Sequence, residues 1–271
     1  MYLSDMEKVT SYKNIEATLE NGIFTVAFAR EAKRNAINEQ TMDELLEVLK
    51  AFPVDGSVKI ALLKGKGRDF CAGADLDWMR NTQQMDEQAL QQQNMKLQKV
   101  FELWHNLPVL TICLVHGNVV GGALGIMAAS DVVIARPESK FRFSEVTLGL
   151  MPATIAPFIL QRTTSRFVRN AMITAIEFRT DKAFEHGLVD VIADQSLHES
   201  TIDEYFEAMN KTEPGAVAKT KKLCNDLVFN RITEPLDQYT TALLASVRKS
   251  EAAASRIAHF FESIDKKHGN K

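Results

Sequence analysis

The length, composition and charge of the chain favour one large globular domain with an appendage. With 271 residues, of which 45% are hydrophobic, the chain can bury about three quarters of its unfolded surface. A formal net charge of -3 and a pI near 6.1 argue against a nucleic-acid-binding protein, which would show a basic excess. The longest uncharged apolar stretches, near residues 109–115 and 121–129, fall short of the roughly 20 residues that a membrane-spanning helix needs.

The N-terminus has no signal-peptide pattern, because charged residues interrupt its short apolar start. We therefore expect a cytoplasmic protein. Cys71, Cys113 and Cys224 have neither metal-ligand nor disulfide spacing, and we expect all three to be buried and reduced. A nucleophilic role for Cys71 is a minor alternative, since no histidine is placed next to it in sequence. His116 ends an apolar strand, which favours a turn histidine that bonds to backbone over a catalytic one.

Strand and helix patterns alternate along the first two thirds of the chain. A β-branched and aromatic run predicts a strand at residues 23–29, and helical spacing of apolar residues predicts a helix at 38–52 with Asn38 as its N-cap. Further strands are predicted at residues 58–63, 110–115, 132–135 and 141–143.

A Gln-rich segment at residues 83–106 has an apolar stripe at helical spacing, so it predicts an amphipathic helix rather than a low-complexity segment. The stripe consists of Leu90, Met95, Leu97, Val100, Phe101 and Trp104. From about residue 196 the strand pattern ends, and helices are predicted at 198–210, 215–229, 233–248 and 251–267. We therefore divide the chain into a core at residues 1–195 and a helical region at residues 196–271.

Two glycine-bearing segments lie where a predicted strand ends and a helix begins. They are residues 70–76, Phe-Cys-Ala-Gly-Ala-Asp-Leu, and residues 117–123, Gly-Asn-Val-Val-Gly-Gly-Ala. Glycine lets a backbone approach a ligand closely, and the first amides of a helix favour negative charge. Two such amides that converge on one point would form an oxyanion hole, although simple close packing explains either segment taken alone.

With a third segment at residues 141–152, Phe-Arg-Phe-Ser-Glu-Val-Thr-Leu-Gly-Leu-Met-Pro, the chain resembles the enoyl-CoA hydratase/isomerase, or crotonase, superfamily over residues 12–265. The resemblance implies an α/β fold, a spiral of repeated ββα units, followed by an all-helical region that assembles homotrimers or dimers of trimers. It implies that the amides of Ala74 and Gly122 hold the thioester oxygen of an acyl-CoA substrate. It implies no nucleic-acid or membrane partner, and no metal or redox cofactor, since coenzyme A is part of the substrate.

Glu145 is the catalytic carboxylate that the resemblance implies; a solvated residue at a strand end is the alternative. Similar hydratases usually have a second glutamate three residues after the oxyanion glycine, where this chain has Gly125. The segments at residues 121–126, 70–80 and 152–157 are most similar to a narrower branch, the bacterial methylglutaconyl-CoA and isohexenylglutaconyl-CoA hydratases. A branched glutaconyl thioester, from leucine or isoprenoid breakdown, is therefore the expected substrate.

Several residues are predicted to bind substrate. Trp78 lies four residues after Ala74, so on a helix it shares that face and could wall the acyl pocket, with core packing as the alternative. Arg80 and Arg142 are the arginines nearest the catalytic turns, and either could bind a second carboxylate. The other predicted substrate-binding residues are Asp75, Leu76 and Gly121 beside the oxyanion amides, Lys33 and Arg34 along the coenzyme A unless they form a solvated loop, and Phe260 in a CoA-contacting helix.

The helix that contains Phe260 departs from the family pattern at one position. Ser263 stands where many members have a lysine, and Lys266 or Lys267 is the candidate replacement. The sequence as a whole predicts an enoyl-CoA hydratase. An isomerase of the same fold is the alternative, because one glutamate can move a proton between the α and γ carbons without water. A non-catalytic acyl-CoA-binding homologue is the alternative from another class.

Overall fold

The computed structural model describes residues 10–163 and 165–268. Its main sheet has seven strands in the order β1-β2-β3-β4-β5-β7-β10. The first three strands pair antiparallel, and all later neighbours pair parallel. These strands are β1 Thr10–Ser11, β2 Ile15–Glu20, β3 Ile23–Phe28, β4 Ile60–Gly65, β5 Leu110–Val115, β7 Val132–Ala135 and β10 Val191–Ile192.

A second, smaller sheet has three strands. Its strands are β6 Asn118–Val120, β8 Lys140–Arg142 and β9 Phe178–Arg179. Strand β6 pairs parallel with β8, and β8 pairs antiparallel with β9. The second glycine-bearing segment includes β6, and the first lies between β4 and the next helix. The predicted α/β architecture with alternating strands and helices is confirmed.

Among the described residues, seven helices alternate with these strands along the first part of the chain. They are α1 Glu39–Lys50, α2 Leu76–Thr82, α3 Glu87–His105, α4 Gly122–Ala128, α5 Ala156–Arg162, α6 Arg166–Thr174 and α7 Thr180–Glu185. Asn38 is the N-cap of α1, as predicted: its side chain accepts a hydrogen bond from the amide of Thr41 at 2.9 Å. Such a bond satisfies one of the amides that a helix start leaves without a partner.

Only the second half of the predicted apolar stripe of α3 enters the core. Val100, Phe101 and Trp104 are buried, whereas Met95 is exposed. Leu90 and Leu97 line a cavity instead. The C-terminal half of the stripe therefore packs in the core, and residues of its N-terminal half line the cavity of the candidate site.

The chain divides into two compact units, Met1–Lys211 and Thr212–Lys271. The first unit includes α8, Gln195–Asn210, which the sequence assigned to the C-terminal helical region. Ile202 of α8 is buried with Ile60, Ile112 and Ile134 of the main sheet, and Tyr205, Phe206 and Met209 pack against the same cluster. Burial of these side chains on the sheet explains why α8 belongs to the first unit.

The second unit consists of helices α9 Pro214–Val228, α10 Leu236–Arg248 and α11 Glu251–His268. Asp226 of α9 accepts a hydrogen bond from the Tyr239 hydroxyl of α10 at 2.8 Å and forms an ion pair with Lys222. Cys224 is exposed in this unit, which corrects the expectation that all three cysteines are buried. No helix in the described part of the chain has the length and apolar character to cross a membrane.

Candidate active site

The first glycine segment presents a backbone amide that no acceptor in the described part of the chain uses. Ile37 bridges to the segment: its amide donates to the Gly73 carbonyl, and its carbonyl accepts from the Asp75 amide, both at 2.8 Å. The Ala74 amide between these two bonds has no acceptor among the described residues. The bridge therefore fixes the turn on both sides of Ala74 and leaves its N–H available to a ligand.

The second segment is tied to the first by a short backbone bridge. The Cys71 amide donates to the Asn118 carbonyl, and the Val120 amide donates to the Cys71 carbonyl, both at 3.1 Å. The next amide, of Gly121, donates to the Arg142 carbonyl at 3.0 Å. Gly122 then begins α4, and its amide also has no acceptor in the part of the chain that the structure describes.

The backbone conformation of Gly121 favours glycine. Its φ is +56° and its ψ is -125°, a backbone conformation that residues with a Cβ rarely adopt. A Cβ at this position would lie 3.4 Å from Ser144 Oγ and 3.6 Å from Glu145 Oε1. The second segment thus passes directly beside the predicted catalytic carboxylate.

Glu145 is half-buried at the start of a 3₁₀ turn, Glu145–Leu148, that follows β8. Its Oε2 atom is buried and has no hydrogen-bond partner within the described structure. Burial raises the pKa of this carboxyl, and the backbone amides of Glu145 and Ser144 oppose the rise. These properties differ from those of a solvated glutamate at a strand end, and they are typical of an acid or base at a functional site.

The three predicted catalytic residues line one cavity. Ala74, Gly122 and Glu145 are all part of its wall, and its volume is about 490 Å³. Most of the remaining wall is apolar, with side chains from α1, α2, α3 and the segment after Glu145: Ile37, Met42, Met79, Leu90, Leu97, Leu148, Leu150, Met151, Pro152 and Ile155. A few neutral polar side chains complete it: Thr82, Gln83, Gln93, Asn94 and Thr154. Such a mixture is the usual composition of a small-molecule site.

Gly125 leaves no room for the second glutamate of similar hydratases. A Cβ at this position would lie 2.5 Å from Ile155 Cγ2 and 2.8 Å from two ring atoms of Phe101. All three residues are buried. Any side chain at position 125 therefore requires Ile155 and Phe101 to move. The packing around α4 thus disfavours a second carboxylate at this position.

Trp78 lines the cavity from α2, where the sequence predicted a wall of the acyl pocket. Asp75 is buried, and its carboxylate caps α2 by accepting hydrogen bonds from the amides of Asp77 and Trp78 at 2.9 and 3.0 Å. The same carboxylate forms an ion pair with Arg30. Leu76 is 74% exposed and does not line the cavity.

The two basic residues predicted to follow the coenzyme A have protein partners. Lys33 lies 3.1 Å from the carboxylate of Asp77, and both side chains are exposed. Arg34 Nε donates to Asp69 at 2.7 Å. An exposed pair such as the first adds little stability and exchanges readily with solvent, so Lys33 can release its partner for a phosphate, whereas Arg34 is held by a buried acid.

Asp69 is a positioning residue that sequence reasoning missed. It is buried, and its carboxylate accepts from Arg34 and from the amide of Asn118 at 3.0 Å, the first residue of β6. Burial alone would raise the pKa of Asp69, but these hydrogen bonds hold that pKa below its usual range. The charged side chain thus joins the loop before α1 to the second glycine segment. The sequence offered one hint of this role, because Asp69 directly precedes Phe70, the first residue of the first glycine-bearing segment.

Neither arginine predicted for a second carboxylate lines the cavity. Arg142 is exposed, and its Nε donates to the Ala175 carbonyl at 3.1 Å. Arg80 is exposed on the last turn of α2. Phe260 belongs to the C-terminal unit and is 61% exposed. The side chains of Ser263, Lys266 and Lys267 lie outside the described residues.

The alternative nucleophile and base are both excluded by their surroundings. Burial raises the pKa of the Cys71 thiol to about 12, so it stays protonated at neutral pH and is a poor nucleophile. His116 bonds through Nε2 to the Gly67 carbonyl at 2.9 Å, as predicted for a turn histidine. Among the described residues that line the cavity, Glu145 is the ionisable one.

Sequence comparison decides which family this arrangement belongs to. The model of the enoyl-CoA hydratase/isomerase family matches residues 18–270. The chain belongs to the enoyl-CoA hydratase/isomerase family. A solved enoyl-CoA hydratase from Shewanella pealeana is 32% identical, superposes with a TM-score of 0.87, and is covered over 94% of its length by 92% of this chain. The crotonase fold expected from the sequence is thereby confirmed.

Two curated relatives of this enoyl-CoA hydratase/isomerase family member differ in their reactions. An enoyl-CoA hydratase of Alternaria alternata, ACTT6, is 28% identical over 222 residues, which are 82% of this chain and 72% of the relative. A trans-2-decenoyl-[acyl-carrier-protein] isomerase of Streptococcus mutans is 26% identical over 215 residues, 78% of this chain and 81% of the relative. Family membership therefore supports hydratase or isomerase activity and leaves the choice to the site.

Proposed function

We propose that this protein is an enoyl-CoA hydratase that adds water reversibly across the double bond of an α,β-unsaturated acyl-CoA thioester. One observation carries the proposal: the amides of Ala74 and Gly122, which have no acceptor among the described residues, line the same cavity as Glu145, whose buried Oε2 has no partner there. The proposed reaction uses no cofactor other than the coenzyme A of the substrate.

The two amides would act on the thioester oxygen. When the oxygen of water bonds to the β-carbon, the electron pair of the double bond moves toward the carbonyl and places negative charge on that oxygen. N–H donors that are already fixed stabilise this charge without reorganisation in the transition state. The backbone bridges on either side of Ala74 and Gly122 supply that rigidity.

Glu145 would move the proton. As a carboxylate it accepts a proton from the attacking water, and as a carboxylic acid it then donates a proton to the α-carbon, which regenerates the carboxylate. Because Gly125 contributes no second group, both transfers occur on one face of the double bond and the addition is syn. The raised pKa of Glu145 favours the first transfer, since it makes the carboxylate a stronger base toward the attacking water.

An enoyl-CoA isomerase is the second candidate, and the single carboxylate favours it specifically. One carboxylate suffices to remove a proton from the γ-carbon and return it to the α-carbon, and no attacking water is needed. A non-catalytic binding protein is disfavoured, because such a protein has no use for a buried carboxylate oxygen without a partner in the described structure, Glu145 Oε2, which costs about 1–3 kcal/mol.

Isotopes distinguish hydration from isomerisation. We expect hex-2-enoyl-CoA, incubated with the protein in a mixture of D₂O and H₂¹⁸O, to yield a 3-hydroxyacyl product with ¹⁸O at the β-carbon and one deuterium added syn at the α-carbon. Mass spectrometry and proton NMR read both labels. Deuterium exchange into the α and γ positions without ¹⁸O would instead establish the isomerase, and anti addition would exclude Glu145 as the carrier of both protons.

The acyl group predicted from the sequence, a branched glutaconyl group from leucine or isoprenoid breakdown, stays a prediction. Its second carboxylate needs a cation or several hydrogen-bond donors once it leaves water. No Lys or Arg is among the described residues that line the cavity, so the wall of the site does not favour this group over a neutral acyl chain.

We also propose that the protein forms a homotrimer or a dimer of trimers. Several large apolar residues of the C-terminal unit are exposed in the single chain: Leu236, Leu244, Ile257, Phe260 and Phe261. Apolar surface of this kind usually marks an interface. Sedimentation velocity at micromolar concentration is expected to give a trimer or a hexamer, and a stable monomer under these conditions would contradict the proposal.

A further inference from the structure

Gln93 contributes a hydrogen-bond acceptor of fixed orientation to the cavity wall. Its Nε2 donates to Glu39 Oε1 at 2.7 Å, and the same carboxylate oxygen accepts from Lys96 at 2.8 Å. An ionised carboxylate only accepts hydrogen bonds, so the Gln93 amide group must direct its nitrogen to Glu39 and its oxygen away from it. That oxygen, Oε1, is buried and has no partner among the described residues.

Trp78 contributes the complementary group. Its indole Nε1 is also buried without a partner in the described structure, and an indole nitrogen can only donate. Trp78 of α2 and Gln93 of α3 line the same cavity as Ala74 and Gly122. The donor and the acceptor therefore belong to one cavity wall, each on its own helix.

The charges around the cavity select against an anionic acyl group. Among the described residues of its wall Glu145 is the ionisable one, and the Glu39 carboxylate that holds Gln93 is paired with Lys96. A carboxylate on the acyl chain would meet no cation from the described wall, and it could not donate to Gln93 Oε1. A hydroxyl group donates and accepts at once, so it can satisfy both the Trp78 indole and the Gln93 oxygen.

We propose that Trp78 Nε1 and Gln93 Oε1 are specificity-determining groups that bind an uncharged hydrogen-bonding substituent, such as a hydroxyl group, on the acyl chain. This inference rests on the proposed function of the cavity as an acyl-thioester site. It replaces the branched glutaconyl group with a neutral, polar acyl group as the preferred substrate class. Leaving a buried acceptor or donor unpaired costs about 1–3 kcal/mol, which is the penalty that the substituent would remove.

Binding of saturated thioesters tests the inference without any turnover. Two matched sets are compared by calorimetry: hexanoyl-, 6-hydroxyhexanoyl- and adipyl-CoA, and octanoyl-, 8-hydroxyoctanoyl- and suberyl-CoA. In at least one set, we expect the hydroxyl compound to bind about tenfold more tightly than the plain acyl compound, the gain from satisfying buried polar groups. We expect the terminal carboxylate to bind the most weakly in both sets.

Two variants and a matched control assign the effect to the two residues. Gln93→Met removes the acceptor and Trp78→Phe removes the donor, and each is expected to cut the ratio of hydroxyl to plain acyl affinity to about twofold or less. Gln92→Met changes an exposed glutamine of the same helix that does not line the cavity, and it should keep the full preference.

Three results would overturn the inference. The first is equal binding of the hydroxyl and plain compounds in both sets, and the second is tightest binding of the carboxylates. The third is an equal loss for every thioester in Gln93→Met, which would place the contact on the coenzyme A portion that all of them share. Failure of every thioester to bind would overturn the proposed function itself, and this inference with it.

Discussion

Glu145→Gln is expected to lower kcat for hydration by about 10²- to 10⁴-fold, the range typical of a lost general acid or base. Glutamine keeps the size and the hydrogen-bonding carbonyl of the side chain, but it can neither take a proton from water nor return one to the α-carbon. Because the two oxyanion amides are backbone groups, acyl-CoA binding should persist. Loss of the enoyl thioester absorbance measures turnover, and calorimetry with a product analogue measures binding.

The pH dependence offers an independent reading of the same residue. Burial raises the pKa of Glu145, and the reaction begins from the carboxylate, so wild-type activity should fall as the pH drops through a value above the ordinary glutamate range. This acid limb should be absent from any residual activity of the glutamine variant. Glu138→Gln, an exposed glutamate outside the cavity, is the matched control and should keep both the rate and the limb.

Stability should change in the opposite direction from activity. A carboxyl whose pKa is raised in the folded state stabilises the protein at low pH, and this contribution is lost as the pH rises through the raised pKa. At neutral pH the buried charge of Glu145 is therefore a cost, and the neutral glutamine variant should unfold at the same or a higher temperature than the wild type. Wild-type turnover in this variant would assign the proton transfer to another residue.

Gly122→Val is expected to lower kcat by about 100-fold or more, the usual loss when one oxyanion-hole donor is removed. The protein itself leaves room at this position, since the nearest atom to an added Cβ is Leu97 Cδ2 at 3.7 Å. The branched side chain would instead occupy the space in which the thioester oxygen approaches the Gly122 amide. The loss should therefore be one of catalysis and not of folding.

A graded comparison separates these two effects. Gly122→Ala, with a single added carbon, should lose less activity than the valine variant, and both should keep the circular dichroism spectrum of the wild type. Near-normal turnover by a correctly folded valine variant would show that the second glycine segment does not hold the thioester oxygen.

Local patterns made much of this site predictable from sequence. The strand-turn-helix pattern singled out the two glycine segments, and the resemblance to the family pointed to Ala74, Gly122 and Glu145. Each of these depends on a few consecutive residues. The same locality explains the success with Asn38, because an N-cap bonds to an amide only three residues away.

Contacts between distant segments account for what the sequence did not reveal. Asp75 and Arg34 were predicted to bind substrate, yet their partners are Arg30 and Asp69, which loop geometry brings to them. The orientation of Gln93 depends on Glu39, fifty-four positions earlier. Such pairings follow from the packing of α1 against α3 and of one loop against another, and no short motif encodes them.

The crowding at Gly125 has a consequence for how this enzyme could change its chemistry. A second carboxylate on α4 would require a smaller residue at both Phe101 and Ile155 as well as the new glutamate, since a Cβ alone already overlaps both side chains. Each of those changes by itself opens a cavity or forces a clash in the core, at a cost of about 1–5 kcal/mol. A route through single substitutions to a second carboxylate at this position therefore passes through destabilised variants.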